Sequence, residues 1–306
     1  MMKKVLTLFI IISLIMSAYL TRSSFSDDDS DQDETESLNS ALDNNPVEAA
    51  KILENISDDT DDKINLKPLP PETAQNRAFK HGEEIVFSVK YGFITVGGAV
   101  FRVNKAQSIA DRPALMITSD AWTAKFFDSV YRVRDRIISF IDADYLFSHK
   151  YIKVQREGSK KINELIKYNY SSKTATRFKS KFKKAKIEHS KNSFNLDNYI
   201  FDPFAALYYL RICNLKVGSV IKIPVSSSKD IYELNIKVEK IETINTKIGK
   251  KKCFKVKPLL LKEGIFISKG EMEVWLTADD KKIPVKMKSE IAVGSISASI
   301  ESYKEK

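Results

Sequence analysis

The stretch Phe201-Asp-Pro-Phe-Ala-Ala-Leu-Tyr-Tyr-Leu-Arg-Ile-Cys213 carries the strongest helix signal in a chain that is otherwise strand-like. Asp202 can accept hydrogen bonds from the free N–H groups of a first helical turn, and Pro203 suits the first helical position because it has no N–H to leave unpaired. The residues that follow are apolar except Arg211. We therefore predict a helix that is buried on most sides and braces a sheet.

The helix pattern also predicts how strongly individual side chains stabilise the fold. Leu207 and Leu210 lie three positions apart on one helical face, so both are expected in the core, and replacing either with Ala should cost about 2–5 kcal/mol. Loss of the Asp202 cap is expected to cost less, about 1 kcal/mol, because it removes a capping interaction and no core volume.

The rest of the folded chain shows the period-two pattern of β-strands. Ile85, Phe87, Val89 and Tyr91 alternate with other residues, Gly92 breaks the run, and the next strand contains two adjacent glycines that suit a bulge or a close backbone approach. Similar runs, separated by turn sequences, lie at 114–123, 129–141, 148–156, 161–170, 174–181, 220–225, 232–244, 253–261, 270–277, 283–291 and 295–303. The pattern predicts a mainly β fold, an antiparallel meander that forms a strongly curved sheet or incomplete barrel with one buried helix.

An outer-membrane barrel is disfavoured by the charge of the middle strands. Such a barrel needs an outward-facing apolar band along its strands. Lys153, Arg156, Lys161 and Lys179 instead place charge throughout the predicted sheet.

The N-terminal part of the chain differs from the rest in composition. Residues 1–22 contain two lysines, an apolar run and the small pair Ser17-Ala18, which is the layout of a signal peptide or of an uncleaved inner-membrane anchor. Residues 23–77 form an acidic leader and a Pro-rich linker, with a short amphipathic helix pattern at 46–56. Residues 78–306 are the predicted single β-rich domain, which export would place in the periplasm or cell envelope.

Charge is distributed unevenly along the chain. The net charge is +10, but the segment from Asp27 to Asp62 contains fourteen acidic residues and one lysine, and this leaves residues 63–306 with +20. A basic exported domain can attract anionic lipid, lipopolysaccharide or an envelope protein, whereas a nucleic-acid partner is not expected. The other interpretation is that lysine-rich strand faces only maintain solubility.

The opposite charges of leader and domain predict a contact between them. The acidic leader is expected to fold back over the basic domain, through an attraction that salt weakens. Deleting residues 23–62 should then leave domain stability nearly unchanged and increase binding to anionic vesicles at low salt.

Cysteines and histidines give little indication of a cofactor. Cys213 and Cys253 could form a disulfide in an oxidising compartment, or could be separate small core residues. His81, His149 and His189 are isolated, without the spacing of a metal site. We therefore expect neither a metal nor another cofactor.

One cluster of aromatic and charged residues suits a pocket for an apolar chain with an acidic head group, since rings bury carbon and Arg pairs with anionic oxygens. Its members are Trp122, Phe126, Phe127, Tyr131, Arg134 and Asp135. In the alternative interpretation the rings are core residues, and Arg132, Arg134 and Arg136 form one solvated strand face paired with acids.

No residue pattern indicates catalysis. Asp128, Asp135, Asp142 and Asp144 are close in sequence, but such carboxylates are commonly turn caps and ion-pair partners. No Gly-x-Ser-x-Gly nucleophile elbow occurs. We do not predict an enzyme.

Four segments carry a family resemblance over roughly residues 79–303. They are His81-Gly-Glu-Glu-Ile-Val-Phe-Ser-Val-Lys-Tyr-Gly-Phe-Ile-Thr-Val-Gly-Gly-Ala99, Phe126-Phe-Asp-Ser-Val-Tyr-Arg-Val-Arg-Asp135, Asp202-Pro-Phe-Ala-Ala-Leu-Tyr-Tyr-Leu-Arg211 and Trp275-Leu-Thr-Ala-Asp-Asp-Lys-Lys-Ile-Pro-Val285. Their order and spacing resemble a widespread bacterial cell-envelope family of unknown function, whose members carry a signal peptide and one β-rich domain. The resemblance implies an exported β domain and brings no catalytic residue. The long acidic leader departs from the usual pattern.

The sequence thus predicts a non-enzymatic envelope protein that binds a lipid-like or amphiphilic anionic ligand. The alternative is a protein-interaction scaffold within a cell-envelope assembly, and a hydrolase of envelope polymers is a third hypothesis. An open apolar cavity would favour a ligand, whereas a filled interior with an exposed apolar patch would favour a protein partner.

Overall fold

The structure is a computed structural model that describes residues 46–54, 78–106, 108–183, 186–226, 231–262, 265–267, 272–290 and 294–305. The predicted signal segment and most of the acidic leader lie outside these residues. Within the described ranges, every helix is too short or too polar to cross a membrane.

Fifteen antiparallel strands form one sheet. They are β1 (Glu84–Tyr91), β2 (Ile94–Lys105), β3 (Ala114–Thr123), β4 (Arg134–Asp142), β5 (Ser148–Glu157), β6 (Lys160–Asn169), β7 (Thr174–Phe182), β8 (Ile187–Asn195), β9 (Val220–Ser226), β10 (Ile231–Thr246), β11 (Gly249–Lys262), β12 (Ile265–Ile267), β13 (Met272–Thr277), β14 (Pro284–Glu290) and β15 (Ser295–Lys304). Their order is β8-β7-β6-β5-β4-β3-β2-β1-β15-β14-β13-β11-β10-β9, and β12 pairs with β11. Two meanders therefore join where β1 pairs with β15, and the predicted curved antiparallel sheet is confirmed.

Three helices accompany the sheet: α1 (Pro46–Glu54), α2 (Lys125–Tyr131) and α3 (Pro203–Ile212). The strand predicted over 129–141 is partly wrong, because its first residues belong to α2. Contacts of Asp128 with the Thr123 hydroxyl and the Arg134 guanidinium hold this turn of helix between β3 and β4. Strand β8 was not predicted, since both of its faces are polar and partly exposed.

A two-residue segment brings distant parts of the sheet together. At Ile200 the carbonyl accepts a 2.9 Å hydrogen bond from the first N–H of β5, at Ser148. At Phe201 the backbone pairs with β9, donating to Pro224 and accepting from Ser226, both at 3.0 Å. The sheet is therefore curved into an incomplete barrel that this segment, rather than strand pairing, bridges.

The N-terminus of α3 is fixed by a fully buried carboxylate. Asp202 Oδ1 accepts hydrogen bonds from the N–H groups of Phe204 and Ala205, at 2.8 and 2.9 Å. Its Oδ2 accepts from the hydroxyls of Ser139 on β4 and Ser148 on β5, at 2.5 and 2.6 Å. Burial raises the pKa of Asp202, and these four hydrogen bonds oppose the rise. The predicted cap is thus also a tertiary anchor.

The C-terminal turn of α3 is fixed by a buried ion pair. Arg211 donates from both terminal nitrogens to the Glu83 carboxylate, each at 2.7 Å, and also donates to the carbonyls of Ala78 and Lys281. Its guanidinium carbon lies 5.1 Å from the centroids of two aromatic rings. Arg211, the charged residue of this otherwise apolar helix, is therefore fully buried.

The two faces of the sheet carry separate apolar clusters. The larger cluster lies on the concave face, around α3. The smaller lies on the convex face of β4–β6 and consists of Ile138, Phe140, Ile152, Val154 and Leu165. Helix α1 covers it with Ala49, Ala50 and Leu53. Apolar packing therefore holds this part of the leader against the domain.

We expect Asp202→Ala to destabilise the protein by about 2–3 kcal/mol, because it leaves buried N–H and O–H donors without an acceptor. Leu210→Ala should cost about 2–5 kcal/mol, whereas Leu207→Ala should cost only about 1–2 kcal/mol because Leu207 is half-buried. This order differs from the one predicted by sequence. Urea unfolding measures it, and a larger loss for Leu207→Ala than for Asp202→Ala would contradict the anchoring role.

Docking of α1 can be tested with a charge at its buried face. Ala49 is fully buried, so Ala49→Glu should detach α1 and lower the free energy of unfolding by about 1–3 kcal/mol. Lys51→Glu, on the exposed side, should change it by a few tenths of a kcal/mol, or about the value of one surface pair. Deletion of residues 23–62 is now expected to reduce stability. Equal unfolding curves for both substitutions would contradict the docking.

Candidate ligand-binding interior

An apolar cavity of about 60 Å³ lies between α3 and the concave face of the sheet. Helix α3 contributes Pro203, Phe204, Ala206, Leu207 and Leu210 to its wall. Strands β2, β10, β11, β13 and β14 supply the remaining wall, also with apolar side chains. Anchoring of both ends of α3 keeps this helix in place over the unfilled space.

The cavity has the size and chemistry for part of an alkyl chain. One water occupies about 10–15 Å³ by the same measure, so the volume corresponds to about four to six water-sized groups. No lining side chain among those described carries an N–H or O–H group, and the only heteroatoms in these side chains are the weakly accepting sulfurs of Met272 and Met287. Water gains no partners in such a site, whereas methylene groups bury apolar surface there.

The concave face changes from apolar to charged along a single row of directly paired residues. From β1 to β7 this row consists of Ile85, Phe101, Ser119, Ile137, Lys153, Glu164 and Lys179. Phe101 also lines the cavity. Since paired residues in neighbouring strands point to the same face, the apolar cavity and the charged residues share one concave surface.

Glu164 is the centre of the charged part of the row. Its carboxylate accepts hydrogen bonds from Lys153 Nζ at 2.8 Å and from Arg177 Nε at 2.5 Å. Burial alone would raise the pKa of Glu164, but the two cations outweigh burial and lower the pKa to about 2. Lys179 is adjacent, and burial, with a contribution from Arg177, lowers the pKa of its ammonium group to about 8.

The aromatic members of the predicted site do not enclose a pocket. Trp122 and Phe126 are exposed, and Phe127 is half-buried against the edge of the core. The Trp122 ring lies over Gly98, where a Cβ atom would come within 2.8 Å of it. The Tyr131 ring covers a glycine in the β5–β6 turn in the same way. These rings therefore cover glycine backbone at one end of the sheet.

The charged members of the predicted site lie on opposite faces. Arg134 is paired in register with Trp122 on the convex face, and its guanidinium donates to Asp128 at 2.7 Å. Asp135 points to the concave face and is buried. The sequence suggested one cluster because these residues are neighbours along the chain, but alternation along β4 separates them.

Charges on the convex face are mutually paired. Arg136 donates to Asp120 at 2.8 Å, and Arg102 bridges Asp120 and Glu84 at 3.4 and 2.8 Å. The pairing of Arg136 agrees with one part of the alternative interpretation, a strand face of arginines paired with acids, whereas the exposed Trp122 and Phe126 are not the core residues that it expected. Such half-exposed pairs each contribute little to stability.

The contacts of Asp142 and of the two cysteines are structural. Asp142 accepts hydrogen bonds from Arg112 and from the N–H groups of its own turn. Burial would raise the pKa of Asp142, but the His149 imidazole, whose Nε2 lies 3.6 Å from Asp142 Oδ2, and the hydrogen-bonded Arg112 guanidinium lower it to about 2. Cys213 and Cys253 are both free.

Asp135 forms a buried carboxyl pair with Glu157. Its Oδ1 accepts a 2.8 Å hydrogen bond from the Arg156 N–H. Asp135 Oδ2 and Glu157 Oε2 accept no hydrogen bond among the described residues, and Lys160 Nζ lies 3.6 Å from Glu157 Oε2. Burial, followed by the charge of Glu157, raises the pKa of Asp135 well above its usual value. A proton held on Asp135 would satisfy the pair.

Comparison with known proteins identifies a family and distantly similar solved structures. The sequence profile of a family described as "Protein of unknown function (DUF3108)" matches residues 86–301. A β-barrel-like protein of domain of unknown function DUF1849 from Brucella abortus is 11% identical, with a TM-score of 0.47 over 73% of this chain and 97% of that one. A candidate lipoprotein from Parabacteroides distasonis is 13% identical, with a TM-score of 0.28 over 75% of this chain and 99% of that one. No curated protein matches the sequence.

We expect Asp135→Asn to stabilise the protein at neutral pH. A carboxyl whose pKa is raised by folding contributes stability below its unfolded pKa of about 3.9, and this contribution is lost as pH rises through the folded pKa. Asn stays neutral, can still accept from the Arg156 N–H and can donate to Glu157. Thermal melts should show an advantage of the variant that grows as the pH rises above about 4.

Asp120→Asn is the matched control, because it removes a carboxylate that pairs with Arg102 and Arg136 on the convex face. It should give no such gain. An Asp135→Asn variant that becomes less stable than wild type as pH rises would contradict the carboxyl pair.

Proposed function

We propose a function for this chain, which belongs to the family described as "Protein of unknown function (DUF3108)": it is an exported envelope protein whose concave β surface binds the alkyl chain of a lipid-like amphiphile. The observation that carries the proposal is the apolar cavity under α3. Its lining is chemically suited to methylene groups and unsuited to water.

Anchoring of α3 supports a ligand site rather than a packing defect. Protein interiors are close-packed, and a helix free to shift would settle into unfilled space. Here Asp202 and Arg211 hold both ends of the helix through buried hydrogen bonds, so its middle cannot move into the cavity. A space maintained by rigid walls can take a ligand at little conformational cost.

Export and charge are consistent with the proposed setting. The first 22 residues have the layout of a signal peptide or membrane anchor, and residues 63–306 are strongly basic. A basic domain in the envelope would meet anionic lipids at short range.

An interaction scaffold is the second candidate function, because large apolar side chains are exposed at the α2 end of the sheet. Phe93, in the β1–β2 turn, is 91% exposed and Phe126 in α2 is 82% exposed. The turn and helix are adjacent, since the Ala124 N–H donates to the Val96 carbonyl at 2.9 Å. Ile94, Trp122 and Val130 are also exposed there. Such a patch suits a protein or membrane surface.

Filling the cavity tests the proposed function. Ala206 is buried in the cavity wall, so Ala206→Leu should occupy the space without removing core contacts. We expect the melting temperature to be retained or raised and the affinity for monolauroylglycerol, a neutral single-chain probe, to fall about tenfold or more. Fluorescence displacement or calorimetry measures the affinity.

Phe126→Ser is the matched control for this experiment. It removes an apolar side chain that is distant in the fold from the cavity lining, and it should leave binding of the soluble probe unchanged. Undiminished binding by Ala206→Leu would contradict the cavity as the chain site. Loss of binding by Phe126→Ser alone would favour the exposed patch instead.

A further inference from the structure

Arg177 has hydrogen-bonding capacity that the described structure does not use. Its side chain is nearly fully buried, with the residue 3% exposed. Arg177 Nε donates to Glu164, but neither terminal nitrogen has an acceptor within hydrogen-bonding distance among the described residues. A buried guanidinium normally uses most of its five donors, so these groups are available to a ligand.

Lys153 and Lys179 add donors beside this guanidinium. Lys153 Nζ uses one N–H for Glu164 and keeps two. Lys179, directly opposite Glu164 in register, forms no ion pair within the described part of the chain. Three cations thus surround one carboxylate, and the local surplus is two positive charges.

The surplus charge faces a position that solvent can reach. Lys179 is only partly buried, and the neighbouring edge strand β8 is largely exposed. The charged end of the row therefore lies at the open side of the sheet, while its apolar end leads to the cavity. Both ends lie on the same face of the sheet, with the buried Ser119 and Ile137 between them.

We propose that Lys153, Arg177 and Lys179 form a subsite for the anionic oxyacid head group, of phosphate type, of an acyl amphiphile whose chain occupies the cavity under α3. This inference rests on the proposed function, since it assigns the polar end of the same ligand. The unused Arg177 donors match two oxygens of a phosphate, and the two ammonium groups supply the remaining charge.

Separation of the two subsites suits a single lipid molecule. Phe101 in the cavity wall and Lys153 lie in the same row, three strands apart. At about 4.8 Å per strand this is about 14 Å along the sheet. An ordinary acyl chain in extended form spans such a distance.

The acid–base behaviour of Lys179 supports the subsite. Charged groups on the strands around it are Glu164, Lys153, Arg177, Lys181 and, on β8, Glu188, which is itself paired with Lys183 and Lys186. Burial and the neighbouring cations lower the pKa of Lys179 to about 8. A bound anion would favour its protonated form and reverse part of this decrease.

Two lauroyl amphiphiles and free phosphate test the subsite. Lysophosphatidylglycerol has a phosphodiester of constant charge, monolauroylglycerol has the same chain without charge, and inorganic phosphate represents the head group alone. We expect Arg177→Gln to weaken lysophosphatidylglycerol binding about tenfold or more and to leave monolauroylglycerol binding nearly unchanged. Lys179→Met should act in the same direction, and its stability should not fall because no ion pair is broken.

Lys250→Gln is the matched control, because it removes one positive charge from an exposed residue at the start of β11. It should change neither affinity. Arg177→Lys keeps a cation beside Glu164 but loses the forked geometry, and it should weaken binding less than Arg177→Gln.

The outcomes separate the subsite from the proposed function. Equal affinity for the charged and neutral amphiphiles, unchanged in both subsite variants, would overturn the subsite and leave the cavity proposal intact. Phosphate binding that depends on Arg177, with no binding of either amphiphile, would support an anion site and overturn the lipid function. Failure of all three probes to bind would overturn both.

A pH series gives an independent readout. Wild-type affinity for lysophosphatidylglycerol should decrease as pH rises from about 7 to about 9, because Lys179 loses its charge over that range while the probe does not change. Lys179→Met should bind more weakly and show a flat profile. A wild-type profile that is flat, or rises, would contradict the role of Lys179.

Discussion

The buried attachment of α3 is the interaction on which the rest of the interior depends. Asp202 joins the helix start to β4 and β5, and Arg211 joins its last turn to Glu83 before β1. Both attachments are fully hydrogen-bonded, so each offsets much of the cost of burying a charge. Helix position is thus set at its ends. The face of α3 between its two anchored ends therefore does not have to pack tightly to hold the helix in place, and a cavity can persist beneath it.

The charged part of the concave face is organised differently from these anchors. The Asp202 carboxylate accepts four hydrogen bonds, all from α3 and the sheet. Glu164 pairs with both Lys153 and Arg177, and Lys179 forms no ion pair among the described residues. A partly buried surplus of positive charge costs free energy that a purely structural network would avoid by adding a carboxylate. Stabilisation of that surplus by an external anion is the simplest account of why it is retained.

Local patterns predicted the secondary structure better than they predicted the interior. Period-two alternation indicated most strands, and the Asp-Pro pair placed the start of α3 correctly, because both signals lie within a few residues. The direction in which a strand face points is a tertiary property. Charges such as Lys153 and Lys179 were therefore taken only as evidence against a membrane barrel, and the sequence cluster containing Arg134 and Asp135 combined residues from opposite faces.

The incomplete closure of the sheet connects these features. The segment Ile200–Phe201 joins β5 to β9. The hydroxyl of Tyr168 on β6 is also hydrogen-bonded to the hydroxyl of Ser226 on β9. Strands β7 and β8 therefore extend beyond the closed part of the sheet. An exposed edge strand invites pairing with other chains, and the polar residues on both faces of β8 oppose it. Because β8 has little apolar surface to bury, it stays largely exposed beside Lys179, the partly exposed end of the charged row. The polarity that hid β8 from sequence prediction thus also keeps this edge of the sheet uncovered, on the side where the proposed head-group subsite lies.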